Sequence, residues 1–132
     1  TPTWTTSGTA PAIGNGTLTG RYVKIGRTYI FQIELVAGST TTFGTSQWFF
    51  TIPVTSISYN TGQPVGVTTV NDSSSGGIYS GITNWITTTT VTPGLMITSD
   101  AYSKHTGINN TIPMTWTTSD SVQIMGTYES AA

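Results

Sequence analysis

From Thr28 to Val36 the chain alternates, with Tyr29, Phe31, Ile33 and Leu35 on one set of positions and Ile30, Gln32, Glu34 and Val36 on the other. A period of two belongs to a strand, whose successive side chains point to opposite faces. No stretch sustains the 3.6-residue period of an amphipathic helix. The residues that fill the rest of the chain are Thr, Val, Ile, Tyr, Phe and Trp, which pack well on a pleated surface and lose rotamer freedom in a helix. Period and alphabet together predict an all-β fold.

The turns divide this alphabet into short runs. A strand is expected from Gly16 to Ile25, where Leu18, Tyr22 and Ile25 alternate imperfectly with Thr17, Thr19, Arg21 and Lys24. Gly26-Arg27 then reads as a tight hairpin turn into the Thr28 to Val36 strand, because Gly supplies the positive φ such turns need. Gly38 to Ser46 is a Gly/Ser/Thr loop, followed by a bulky strand from Gln47 to Ile52 that Pro53 stops. Further strands are expected at Val65 to Val70, Gly77 to Tyr79, Ile82 to Thr90, Leu95 to Thr98, Met114 to Trp116 and Val122 to Tyr128. Turn signals at Asn60-Thr61-Gly62, Asn71 to Gly77, Pro93-Gly94 and Asn109-Asn110 separate them. Many short strands at spacings of roughly 8 to 12 residues predict a single antiparallel domain, a β-sandwich or jelly roll, with a small barrel as the other form. Trp4-Thr5-Thr6-Ser7 recurs as Trp116-Thr117-Thr118-Ser119. The echo marks either two neighbouring strands or a coincidence in a Thr-rich chain.

Composition narrows the function classes. The 132 residues suit one hydrophobic core. Four Trp, six Tyr and four Phe give it enough to bury, so low charge does not mean disorder here. Only 7% of residues are charged and the net charge is −1, so the polar surface is built from hydroxyls and amides. The densest basic group is Arg21, Lys24 and Arg27, too sparse to draw a phosphate backbone, and nucleic acid is not an expected partner. No apolar run reaches the roughly 18 residues that span a bilayer, and Thr1-Pro2-Thr3-Trp4 lacks the order of a signal peptide, so membrane insertion is not expected. The absence of Cys removes disulfides, thiolate catalysis and sulfur-ligated metals.

Catalytic apparatus is hard to assemble from these residues. A glycosidase needs two facing carboxylates, and the five present are Glu34, Asp72, Asp100, Asp120 and Glu129. Asp72, Asp100 and Asp120 each sit in turn-like stretches, where a short carboxylate caps backbone amides. His105 is the one histidine, too little for a metal centre without carboxylates, and the stretch Tyr102 to Gly107 reads as an exposed loop. No nucleophile elbow or phosphate-binding glycine fingerprint occurs, and no cofactor or metal is expected. Three Asn-X-Ser/Thr triplets, at Asn15, Asn71 and Asn109, are what chance gives in such a composition. Aromatic side chains in loops can stack on sugar rings, and Trp85, Tyr79 and Tyr102, with His105, form the candidate ligand-binding set. Burial in the core is the competing expectation for each aromatic.

Several segments carry a resemblance. They are Gly16 to Arg27, then Gly38-Ser39-Thr40-Thr41-Thr42-Phe43-Gly44-Thr45, the Trp48-Phe49-Phe50 strand ending at Ile52-Pro53-Val54, Pro113-Met114-Thr115-Trp116, and Gly126-Thr127-Tyr128-Glu129. Taken in order they resemble the C-terminal β-domains of bacteriophage tail and fibre proteins, particularly from phages of actinobacterial hosts, while Thr55 to Asn110 departs freely. The resemblance implies the C-terminal part of a longer virion protein on the particle surface, outside the cell. It also implies a knob that is commonly a homotrimer, contacts other virion proteins, and presents loops to a host-surface glycan. The alternatives are a capsid decoration protein or head fibre, a carbohydrate-binding module of a secreted enzyme, which predicts a flat strip of exposed aromatics, and, last, a depolymerase.

Overall fold

In the computed structural model, which describes residues 1–98 and 101–132, nine strands follow one another without an intervening helix among those residues. They are β1 Trp4–Thr6, β2 Thr17–Ile25, β3 Thr28–Val36, β4 Trp48–Thr51, β5 Pro64–Asp72, β6 Gly77–Trp85, β7 Thr90–Ile97, β8 Lys104–Gly107 and β9 Ser121–Glu129. Every pairing is antiparallel. The β2–β3 hairpin is as the sequence predicts: Gly26 takes φ 61° and Ile25 pairs with Thr28.

The hydrogen-bonded path is one continuous sheet, β1-β4-β7-β6-β5-β9-β3-β2, with β8 on β7. It curls into a half-barrel. The inner face of the curl is the core. Tyr29, Phe31, Ile33 and Leu35 of β3 point into it, with Trp48 and Phe50 of β4, Val70, Trp85, Val91 and Leu95, and Val122, Ile124 and Tyr128 of β9. Burying each such side chain contributes about 1.5–3 kcal/mol. Two hydroxyls enter this interior as a pair, Thr68 and Thr83, 2.7 Å apart, so neither is left without a partner.

Four expectations change. Gly77 to Tyr79 and Ile82 to Trp85 are one strand, β6, because the backbone of β7 fills the space over Gly81: a Cβ there would lie 2.1 Å from Gly94 O. Ile86 to Thr89, expected as strand, is a turn, in which the amides of Ile86 and Thr87 donate to Thr90 O and the Thr87 hydroxyl bonds those of Thr89 and Thr90. Pro93-Gly94 does not separate strands but lies inside β7. Pro93 opposite Thr83 ends the pairing with β6 and Gly94 opposite Gly107 begins that with β8, so the missing N–H falls at a changeover between ladders. Met114 to Trp116 is not a strand, whereas Trp4–Thr6 and Lys104–Gly107 are.

The Trp echo has a packing meaning, although the two segments are not neighbouring strands. Trp4 on β1 and Trp116 in the loop before β9 both pack on Trp48, at ring-centroid distances of 4.8 and 4.7 Å. Phe43 touches all three, so one aromatic cluster closes this end of the half-barrel. At the open seam the N-terminal segment meets β2, where a side chain on Gly20 would sit 2.7 Å from Pro2 Cδ.

Candidate functional site

The structure does not gather the four predicted ligand-binding residues. Trp85 is buried: its ring stacks on Tyr59 at 4.8 Å with an interplanar angle of 7° and meets the edge of Tyr128 at 5.6 Å. It has no free face for a sugar, so of the two expectations for this residue burial in the core holds and ligand contact does not. Tyr79 shares the inner side of β6 with Trp85, half-buried against the core, six residues or about 20 Å along the strand. Tyr102 is 84% exposed. His105 lies on β8 and not in a loop, opposite Met96, and its Nε2 is 2.9 Å from the carbonyl of Ile82 on β6. A Cβ on Gly94 would collide with that imidazole, so the glycine makes room for the bridge from β8 to β6.

The carboxylates are occupied by the fold. Asp120, 1% exposed, accepts from the amides and hydroxyls of both Ser73 and Thr117, at 2.6 to 3.1 Å. Asp72 accepts from the amide and hydroxyl of Ser74 and the amide of Ser75, and the hydroxyls of Ser74 and Ser75 hold its carboxyl below the usual carboxylate range. Both act as the caps expected from their turns, and Ser73 ties the β5–β6 turn to the loop before β9. Glu129 pairs with Arg27 at 3.3 Å, and Glu34 accepts from Gln123 at 2.9 Å. Asp100 lies outside the described residues. Among those described, no three His, Asp or Glu side chains stand close enough to hold a metal ion.

The Gly38 to Thr45 segment is also internal scaffolding. Asn15 Oδ1 accepts from the amide and hydroxyl of Thr40, its Nδ2 donates to Ser39, and Thr9 N donates to the Thr45 hydroxyl. These bonds hold the loop against the stretch that precedes β2.

What the molecule offers outward is the convex face of its sheet. The register aligns Arg21, Gln32, Met125, Val67 and Ile82 as one row across β2, β3, β9, β5 and β6. Val23, Ile30 and Thr127 form the next row. Val23, Ile30, Val67 and Met125 are each about half exposed, from 44 to 52%. Between the rows runs an open trough of about 570 Å³. Its floor is the backbone of Tyr22, Phe31, Gly126 and Gly66, themselves in register. Arg21 stands at one end of the trough without an ion pair or hydrogen bond among the described residues. Exposed apolar patches rimmed by polar residues are commonly places of contact.

The two sheet edges are less inviting. β1 is three residues long. β2 turns Lys24 inward over the ring of Tyr29, 5.8 Å from its centroid, and an inward charge on an edge strand discourages further strand pairing. The face was missed in the sequence although it left a trace: Ile30 and Val36 put apolar residues on the second face of a strand whose first face is wholly apolar, the pattern of burial on both sides. No family model, no curated protein and no solved structure matches the chain.

Proposed function

We propose that the chain is a non-catalytic structural module of a bacteriophage particle, the β-knob of a tail or fibre, which works by contact with proteins and with the host surface. The observation that carries the reading is the apolar trough on the convex face of an otherwise hydroxyl-rich and weakly charged module. Such a surface keeps its contacts over a wide range of salt and pH, because few of them depend on charge. The carboxylates of the described residues are engaged in turns, in an ion pair or with Gln123, which leaves them to the scaffold. Contact with a host glycan rests on the loop that carries Tyr102, whereas the flat aromatic strip of a carbohydrate-binding module finds no support in Trp85 and Tyr79, which face inward.

Gold-labelled antibodies against the purified chain, applied to phage particles that carry this sequence, test the reading by electron microscopy. Label at the tail or fibre end is the expected result. Label over the capsid lattice would transfer the module to a decoration protein or head fibre, and particles free of label would overturn the virion reading.

A further inference from the structure

The trough must be covered by something if it is a contact surface, and the charges beside it favour a particular occupant. Among the described residues Arg21 is without a partner, and Glu34 makes no ion pair. Both lie on the convex face: Arg21 opposite Gln32, Glu34 opposite Thr19, one row apart on neighbouring strands. The face therefore carries one unmatched cation and one unmatched acid, and a second copy of the same face offers each its complement. We propose that two copies of this chain dock convex face to convex face, with the Val23, Ile30, Val67 and Met125 side chains interleaved and Arg21 of each copy meeting Glu34 of the other. The inference rests on the reading of the module as a contact protein and names the partner of its trough.

Other occupants fit less well. A small ligand needs a pocket that buries most of its surface, and this trough is open along its length. A nucleic acid or an acidic lipid surface needs a cationic patch, and the face has a single guanidinium. The half-exposed side chains amount to a few hundred Å², whereas a stable pair covers about 800 Å² on each partner. The interface must therefore extend over the flanking row of Thr19, Glu34, Gln123 and Thr69, which brings Glu34 into it. A face that meets itself closes a two-fold pair, so the expected assembly is a dimer in place of the trimer implied by the resemblance.

Light scattering over a concentration series, on the whole chain and on variants whose near-ultraviolet dichroism shows intact packing, decides it. The parent chain is expected at twice 14.0 kDa at high micromolar concentration. Met125→Asp, or Val67→Asp as a second substitution, is expected to weaken the dimer at least about 100-fold by placing a charge in the trough. Arg21→Glu and Glu34→Arg alone are each expected to weaken it roughly tenfold, and the double reversal R21E/E34R to restore it. A parent chain that stays monomeric, a trimer indifferent to Met125→Asp, or a double reversal weaker than either single change would overturn the inference. Because particle labelling does not depend on the dimer, these results leave the virion reading standing or falling on its own test.

Discussion

The phenol of Tyr128 holds the backbone of Val54 from both sides: its O–H donates to the Val54 carbonyl at 2.8 Å and its oxygen accepts the Val54 amide at 3.0 Å. A chain segment leaving β4 next to Pro53 cannot continue a ladder, so its polar groups need partners from elsewhere. Tyr128, near the end of β9, supplies them. Its ring is stacked on Tyr29 at 5.5 Å and stands nearly perpendicular to those of Phe31 and Trp85, which fixes the hydroxyl in place. One side chain thus joins the core to the chain that leaves β4.

Tyr128→Phe keeps the ring and strands both Val54 groups. A stability loss of about 1–3 kcal/mol is expected, read as a lower midpoint in urea denaturation with an unchanged slope.

The same residue predicts alkaline lability. Burial raises the Tyr128 pKa above its ordinary value of 10.0, against the lowering effect of the Val54 bond. The folded state then holds its proton more tightly than the unfolded state does. The stabilising contribution is complete below pH 10 and is lost as pH rises from there through the folded pKa. Unfolding free energies measured from pH 8 to 12 should fall more steeply for the parent chain than for Tyr128→Phe, and parallel curves would refute the assignment.

Asp72 gives the opposite edge. The hydroxyls of Ser74 and Ser75 lower its folded pKa below the ordinary 3.8, so its contribution is present above that pH and disappears as pH falls through the folded value. Asp72→Asn should flatten the acid limb of the stability profile and leave the profile above pH 5 parallel to that of the parent chain.

Thr68 and Thr83 form a test of polar satisfaction in the core. The Thr83 hydroxyl donates to Val67 O at 3.1 Å, which leaves Thr68 as the donor between the two hydroxyls. Thr83→Val leaves the Thr68 hydroxyl buried without its acceptor, at a cost of about 1–2 kcal/mol, whereas T68V/T83V removes both polar groups and should recover most of the loss. A double variant as unstable as the sum of the single ones would show the pair to be uncoupled.

Gly81→Ala tests the crossing of β7 over β6. Its Cβ would lie 2.1 Å from Gly94 O and 2.4 Å from Leu95 Cα, both backbone atoms that cannot rotate away. A loss of about 1–3 kcal/mol is expected in chemical denaturation, and an unchanged midpoint would mean that the two strands do not approach so closely.

The fold class and the β2–β3 hairpin are legible in the residues alone, because an alternating period and a glycine turn are local properties that a strand expresses wherever it lies. So are the turn caps of Asp72 and Asp120, since an Asx side chain reaches amides two or three residues away. Which aromatics are buried depends on contacts between distant parts of the chain. Thr83-Asn84-Trp85 suits a sugar or the core equally, and it is the stacking of Tyr59 from a distant loop that buries Trp85. That Gly81 and Pro93-Gly94 continue strands is likewise a tertiary outcome, because the approach of β7 to β6 and the change of ladder are contacts between residues far apart in sequence. The trough belongs to the same kind: Val23, Ile30, Val67 and Met125 lie on four strands, and only the register of β2, β3, β9 and β5 brings them into neighbouring rows across one face.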